Sequence, residues 1–173
     1  MDSLLNSSRP PVFCPGCAHE QVLHALDRAL TDMKLSGQEI AIVSDIGCSG
    51  LFDTFFNTHA FHGLNARALT YATGLKLARP ELTVLATMGD GGLGIGGAHV
   101  LSTCRRNIDI TAIVMNNRIY GMTGGQYSPL SGEGTLATTA PYSNIDQAFD
   151  VAELARAAGA TFVARSTTYH VQQ

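Results

Sequence analysis

Apolar residues follow two rhythms along this chain. Val22, Leu26, Ala29, Leu30 and Met33 recur at helical spacing within residues 19–33, and the run 39–45 that follows Ser36-Gly37 is short and β-branched. A helix followed by a strand is expected there. The Ala- and Leu-rich segment 65–79 predicts a second helix that stops before Pro80, because proline drives its preceding residue out of the helical region. Residues 82–88 and 110–116 are continuous apolar runs separated by a helix candidate at 96–106. Val151, Leu154, Ala155 and Ala158 then share one helical face ahead of Gly159, and residues 161–165 read as a last short strand. Strands apolar throughout and separated by helices are buried on both faces, which implies a parallel sheet. The expected fold is α/β, a parallel sheet flanked by helices. With no repeat, linker or charge block, residues 1–173 read as a single domain.

Two segments break this rhythm. Residues 118–145 show little apolar periodicity, and irregular loops of that length inside compact domains are usually functional or disordered. Their place after a strand favours function. The chain stops at Ser166–Gln173, a Ser/Thr-rich helix start with no helix after it, so the domain is expected to lack its C-terminal part.

Composition narrows the partners. A net charge of −3 supplies no broad cationic field for nucleic acid or an anionic membrane, so a phosphate-bearing ligand must be held locally by backbone donors or a metal. No apolar run approaches the roughly 18 residues of a membrane span, and the N-terminus lacks a signal-peptide core, so a cytoplasmic location is expected. In that compartment the Cys14/Cys17 pair, C-x-x-C, reads as a metal-ligand pair, a redox dithiol or a chance spacing. Cys48, just past an apolar run, looks like a third soft ligand. Cys104, inside a helix candidate, reads as a small buried apolar side chain.

The richest chemistry lies at two strand ends. Gly89-Asp90-Gly91 closes one apolar run and Met115-Asn116-Asn117 the next, and ligands of open α/β sheets bind beyond such carboxyl ends. A carboxylate and an amide oxygen suit Mg²⁺, which takes oxygen ligands and usually bridges protein to phosphate. The glycine-rich loop from Gly91 to Gly97 would let backbone N–H groups approach a diphosphate. The plainer alternative is a tight turn at Asp90 and an ordinary strand end at Asn117. A dinucleotide fold competes less well: no clean G-x-G-x-x-G is present, and Asp109, near the right spacing for a ribose-binding acid, precedes its strand instead of ending it.

The pairing of "GDG" with "NN" looks like the thiamine diphosphate motif. Joined to "FCPGCAHE", "IGCSG", "HGLNARALTYATGLKLA", "RRNIDITAIVMNNRIYGMTGGQYSP" and "AAGATFVARS", it makes the chain resemble, from about Phe13 to Ser166, the β subunit of 2-oxoacid:ferredoxin oxidoreductases. The form "NNxIYGMTGGQ" is most similar to the 2-oxoglutarate and branched-chain branches.

That resemblance implies a thiamine diphosphate-binding (diphosphate-domain) fold and a CoA-dependent oxidative decarboxylation of a 2-oxoacid, with 2-oxoglutarate favoured and electrons passing through iron–sulfur clusters to ferredoxin. It implies Mg²⁺ ligands at Asp90, Asn117 and the Ile119 carbonyl. Gly89, Gly91, Tyr120, Gly121, Met122 and Thr123 would surround the diphosphate, Ser49 and His62 would lie near the cofactor, and His62 is the candidate catalytic side chain. Cys14, Cys17 and Cys48 match three ligands of a [4Fe–4S] cluster whose fourth cysteine, in the family, lies beyond residue 173; a complete cluster on these residues alone is therefore not expected. Leu51 stands where some relatives carry a basic residue able to meet a distal carboxylate, which weighs against 2-oxoglutarate. The implied partners are an α subunit carrying the pyrimidine-binding domain and its glutamate, possible γ and δ subunits, and ferredoxin. Two rival readings are a non-oxidative thiamine-dependent decarboxylase or synthase, and a non-catalytic fragment binding zinc through the three cysteines and a histidine.

Overall fold

Ile40–Ser44, the first strand (β1), is buried along its whole length because both of its edges are paired. The structure, a computed structural model, describes residues 2–170. In it β1 lies between β2 (His59–His62) and β3 (Thr83–Gly89), with β4 (Thr111–Met115) outside β3, and every pair in the order β2-β1-β3-β4 is parallel. The helices are α1 (Ala18–Asp32), α2 (Ala68–Ala78), α3 (Asp90–Ile95), α4 (Gly97–Arg106) and α5 (Val151–Ala157). A two-stranded antiparallel piece, β5 (Ile119–Tyr120) and β6 (Gln126–Tyr127), follows β4.

Side chains alternate across β1, so one sheet serves two cores. Ala41 and Val43 join Val84, Ala86 and Met88 under Leu69, Ala72, Leu93 and Val100 from α2, α3 and α4. Ile40 and Ile42 face the other way, with Leu85 and Met115, against α1 and the aromatic residues Phe52, Phe55 and Phe56. The inner stripe of α1 is His19, Leu23, Leu26 and Leu30. Each leucine contributes roughly 1.5–3 kcal/mol by leaving water, which fastens α1 to the sheet. Met33, expected on that stripe, is exposed just past the helix end.

Several expectations need correction. Residues 90–95 are helical, where a glycine-rich loop was expected: glycine costs about 1 kcal/mol per residue in a helix, but tertiary packing overrides so weak a preference. β4 is half-exposed, because it is the edge of the sheet and lacks a neighbour on its outer side among the described residues. Residues 161–165 form no strand, and Phe162 is 83% exposed. So short a strand holds its shape only by pairing with an edge, and this one does not take the edge of β4. The helix α5 forms as expected and ends with Gly159 at φ +97°, yet buries none of its residues. The long segment 118–145 is irregular but anchored, with Ser128, Leu130, Ser131, Ala140 and Asn144 all buried.

Candidate active site

The strand order changes direction between β1 and β3: β1 connects to β2 on one side, while the chain returns through α2 to β3 on the other. Open α/β sheets bind ligands at such a point, outside the carboxyl ends of the strands. A cleft lies there. Its walls come from the segment after β1 (Ile46, Gly47, Cys48, Ser49), from the β3–α3 junction (Gly89–Gly92) and from the turn after β4 (Asn117, Ile119–Thr123), with His19 of α1 closing one side.

Ser49, Gly89, Asp90, Gly91, Asn117, Ile119, Tyr120, Gly121, Met122 and Thr123, all singled out in the sequence, thus line one cavity. Cys48 lines it too. His62 does not: it belongs to the edge strand β2, one strand removed from the switch point, where its Nδ1 lies 3.7 Å from Asp53 Oδ1. Leu51 is also absent from the walls and packs instead on the core beneath α1.

Asp90 opens α3 and is 3% exposed. Burial pushes its pKa up, opposed by the hydrogen bond from Ser128 and by the backbone amides of Gly91, Asp90 and Arg118. Ser128 Oγ donates to Asp90 Oδ2 at 2.5 Å. Among the described residues no basic side chain is paired with this carboxylate, so its charge would be compensated by a bound cation. Asn117 sits in a tight turn: its Oδ1 accepts from Ile119 N–H at 3.3 Å, Asn116 Oδ1 accepts from Arg118 N–H at 3.1 Å, and Arg118 takes φ +61°. A carboxylate at Asp90, an amide oxygen at Asn117 and the backbone carbonyl of Ile119 are oxygen donors of the kind Mg²⁺ takes.

The glycines of α3 have a packing role that the sequence did not disclose. A Cβ on Gly92 would fall 1.8 Å from Asp45 Oδ2, one on Gly91 2.0 Å from the Tyr120 ring, and one on Gly94 2.5 Å from Pro129. Only a helix without side chains on these faces can seat between Asp45, Tyr120 and Pro129.

The cysteines gather without closing on a single ion. Cys17 N–H donates to the Cys14 carbonyl at 2.9 Å, and Cys17 Sγ lies 3.3 Å from His19 Nδ1. Burial raises the Cys48 thiol, and the neighbouring Cys17 and Cys14 raise it further, so all three sulfurs share one neighbourhood. Among the described residues no three His, Cys, Asp or Glu side chains surround one metal position.

Five contributors escaped the sequence reading, among them Ser128, the donor to Asp90. His19, given no role in the sequence reading, is 8% exposed, packs on Phe13 with ring centroids 5.4 Å apart and has its pKa lowered by burial, with Asp90 opposing. The spacing of His19 with Leu23, Leu26 and Leu30 was the available signal. Asp45 and Asp53, fully or nearly buried, each keep one oxygen without a hydrogen-bond partner, at Oδ2 and Oδ1 respectively. Ser131 is 1% exposed and bonds the loop internally.

Asp45 carries a pH-dependent prediction. Its Oδ1 accepts from Ala66 N–H at 2.7 Å, yet burial raises its pKa above the ordinary value, with that bond, the Ile46 amide, His62 and Arg67 opposing. A raised carboxyl pKa adds stability that is complete below the unfolded-state pKa and lost as pH rises through the folded-state pKa. Ionised Asp45 therefore costs stability at neutral pH. Asp45→Asn keeps the acceptor for Ala66 and removes the charge, so its Tm should exceed wild type at neutral pH by a few degrees, at about 2–4 °C per kcal/mol. The gain should shrink on acidification towards the ordinary carboxylate range. Thermal unfolding followed by circular dichroism checks this; a gain that grows at low pH contradicts it.

Comparison with known proteins agrees with this geometry. The family model for the thiamine pyrophosphate enzyme, C-terminal TPP binding domain, matches residues 45–173. The chain is 46% identical over 169 residues to the 2-oxoglutarate synthase subunit KorB of Archaeoglobus fulgidus, covering 97% of this chain and 63% of the relative. It is 43% identical over 155 residues to the 2-oxoglutarate oxidoreductase subunit KorB of Mycobacterium tuberculosis, covering 89% and 42%. Among solved structures it matches the 2-oxoglutarate:ferredoxin oxidoreductase from Magnetococcus marinus with 2-oxoglutarate, coenzyme A and succinyl-CoA bound, at TM-score 0.94 and 36% identity, over 97% of this chain and 58% of that one. The chain spans 58–63% of the length of four similar curated relatives. No helix among the described residues is long and apolar enough to cross a membrane. With that family model covering most of the chain, the chain belongs to the thiamine pyrophosphate enzymes, carrying their C-terminal TPP binding domain.

Proposed function

We propose that this chain supplies the diphosphate half of the active site in a CoA-dependent 2-oxoacid:ferredoxin oxidoreductase, with 2-oxoglutarate as the favoured substrate. The observation that carries the reading is the single cleft that brings Asp90, Asn117 and Ile119 together with Gly89, Gly91 and the Tyr120–Thr123 turn. Asp90, Asn117 Oδ1 and the Ile119 carbonyl would hold Mg²⁺, and the glycines admit the diphosphate close to the backbone. Thiamine diphosphate, when bound, supplies the nucleophilic carbon and the electron sink that decarboxylation of a 2-oxoacid requires.

The chain's own residues orient and shield. Ser49 Oγ lies within 3.2 Å of the position a Cβ on Gly89 would take, so it faces the β3–α3 junction from the other side of the cleft. Met115 and Ile46 also line the cleft. His62 enters this reading as the partner of buried Asp53, a support for the segment after β1. Cys14, Cys17 and Cys48 would hold three corners of a [4Fe–4S] cluster, which suits one-electron transfer to ferredoxin. An α subunit with the pyrimidine-binding domain, and γ and δ subunits where the complex has them, would complete the assembly. The preference for 2-oxoglutarate rests on the names of the relatives, and Leu51, which packs in the core, supplies no basic group for a distal carboxylate.

The test is a substrate panel on the anaerobically assembled complex. With CoA and a viologen dye, 2-oxoglutarate should give the highest kcat/KM, ahead of branched-chain 2-oxoacids and pyruvate. Dye reduction that ignores CoA overturns the CoA-dependent reading, and no dye reduction with any 2-oxoacid overturns the oxidative one and leaves a non-oxidative thiamine enzyme.

A further inference from the structure

The two protein halves of the proposed cation site arrive on separate segments: Asp90 at the start of α3, and Asn117–Ile119 after β4. One short stretch further along, Ser128-Pro129-Leu130-Ser131, touches both. Ser128 Oγ donates to Asp90 Oδ2 at 2.5 Å, and Ser131 Oγ donates to the Arg118 carbonyl at 2.5 Å. The two serines are themselves joined, since Ser128 N–H donates to Ser131 Oγ at 2.8 Å. Each is 1% exposed.

A hydroxyl has one proton to donate, and here both protons are committed. Ser128 gives its proton to the carboxylate, a charge-assisted bond of the short, strong kind, and accepts from Leu130 N–H at 3.2 Å. Ser131 gives its proton to the backbone between Asn117 and Ile119. Asn144 then holds the stretch from behind, its Nδ2 reaching the carbonyls of Ser131, Gly132 and Asp146 at 3.1–3.2 Å. Pro129 in turn packs against the bare face of α3 at Gly94.

We propose that Ser128 and Ser131 form a clamp of positioning residues that fixes the Asp90 carboxylate relative to the Asn117–Ile119 turn, so that Mg²⁺ binding and the seating of residues 121–145 on the site are one coupled event. The proposal rests on the reading that Asp90 and Asn117 hold Mg²⁺. Neither serine touches the cation or the substrate in it. Outer-shell partners of metal ligands typically contribute 10–100-fold to affinity, and a partner that sets the separation of two ligands belongs at that level.

The experiment uses the full chain as wild type, Ser128→Ala, Ser131→Ala, the double variant, and Ser128→Cys, which keeps the size with a weaker donor. Calorimetry of Mg²⁺ with thiamine diphosphate gives the affinities, electron paramagnetic resonance of bound Mn²⁺ reports the ligand geometry, and hydrogen exchange over residues 121–145 reports seating. Expected are a roughly 10–100-fold loss of Mg²⁺ affinity in Ser128→Ala, an intermediate loss in Ser128→Cys, and a double variant little worse than the worse single one, as for groups that act as a unit. The Mn²⁺ spectrum should broaden in the alanine variants, and protection of 121–145 by ligand should disappear. A merely structural role would lower Tm equally with and without Mg²⁺ and leave the spectrum of the bound ion unchanged, which overturns the proposal. Affinity within twofold of wild type in Ser128→Ala overturns it as well. If Ser128→Ala does not fold, Ser128→Cys and Ser131→Ala are read by the same criteria. Wild type that fails to bind Mg²⁺ with thiamine diphosphate removes the underlying site reading instead, and is seen before any variant is made.

Discussion

Replacing Asp90 with alanine should abolish the dependence of thiamine diphosphate binding on Mg²⁺. Asp90 is buried, its charge is disfavoured by desolvation, and Ser128 provides only a neutral donor. A divalent cation is the compensating charge, and removing one partner of a buried charge pair typically costs about 2–5 kcal/mol, or at least roughly 30-fold in affinity. Asp90→Asn is the sharper control, because it keeps the volume and an acceptor for Ser128 while losing the charge, and it should bind as poorly as alanine. Without ligand, Asp90→Asn should be as stable as wild type or more so at neutral pH, since an uncompensated buried charge is removed while the acceptor for Ser128 is kept. Affinity should also fall on acidification at a higher pH than for an exposed aspartate, because burial raises the pKa of the group that must be ionised to hold the cation. Calorimetry with and without Mg²⁺ measures the coupling. Unchanged Mg²⁺-dependent affinity in Asp90→Asn would take Asp90 out of the site.

The second large effect concerns activity: this chain alone should not turn over a 2-oxoacid, even with Mg²⁺ and thiamine diphosphate supplied. The family resemblance requires a glutamate against the aminopyrimidine ring of the cofactor, and none of the chain's five glutamates lines the cleft. Glu39 is tied to Ser36, Glu81 to Arg79 and Glu153 to Arg156, while Glu20 faces solvent beside His24 and Glu133 is exposed in the loop. The cleft encloses about 130 Å³, short of the roughly 300–1,000 Å³ of complete small-molecule sites, as one wall of a shared site would. Exposed apolar residues nearby, Ile46 and Met122, fit the same reading. Viologen reduction should appear only when the purified chain is mixed with an α-type partner. Robust CoA-dependent reduction by the isolated chain, with the partner shown to be absent, would sink the split-site assignment.

Much of this site could be read from the sequence because its donors follow strands. A run that is apolar throughout, ending in Gly-Asp-Gly or Asn-Asn, places those residues at the carboxyl end of a parallel strand, buried in β3 and half-exposed in β4. Asp90 and Asn117, read from those strand ends, line one cleft with Ser49 and the 119–123 turn, which the family resemblance singled out. The stop at Gly159 and the helix end before Pro80 are equally local, set by backbone conformations that single residues impose.

What depended on distant partners was not legible. Helix propensity argues against α3, yet contacts with Asp45, Tyr120 and Pro129, from three separate parts of the chain, make a side-chain-free helix the conformation that fits. His62 was singled out by the family resemblance, and only the strand order shows that it sits on the edge strand β2 beside Asp53. Residues 161–165 have the composition of a strand, and whether they become one depends on pairing with an edge, which no local pattern encodes. Ser128 and Ser131 are ordinary loop serines until the fold brings Asp90 and the Arg118 carbonyl within 2.5 Å of them. The sequence by itself determined which donors the strand ends carry, because period and punctuation act over a few residues. Only the tertiary structure decided which of those donors meet and what holds them there, because burial and hydrogen-bond partners come from segments far apart in the chain.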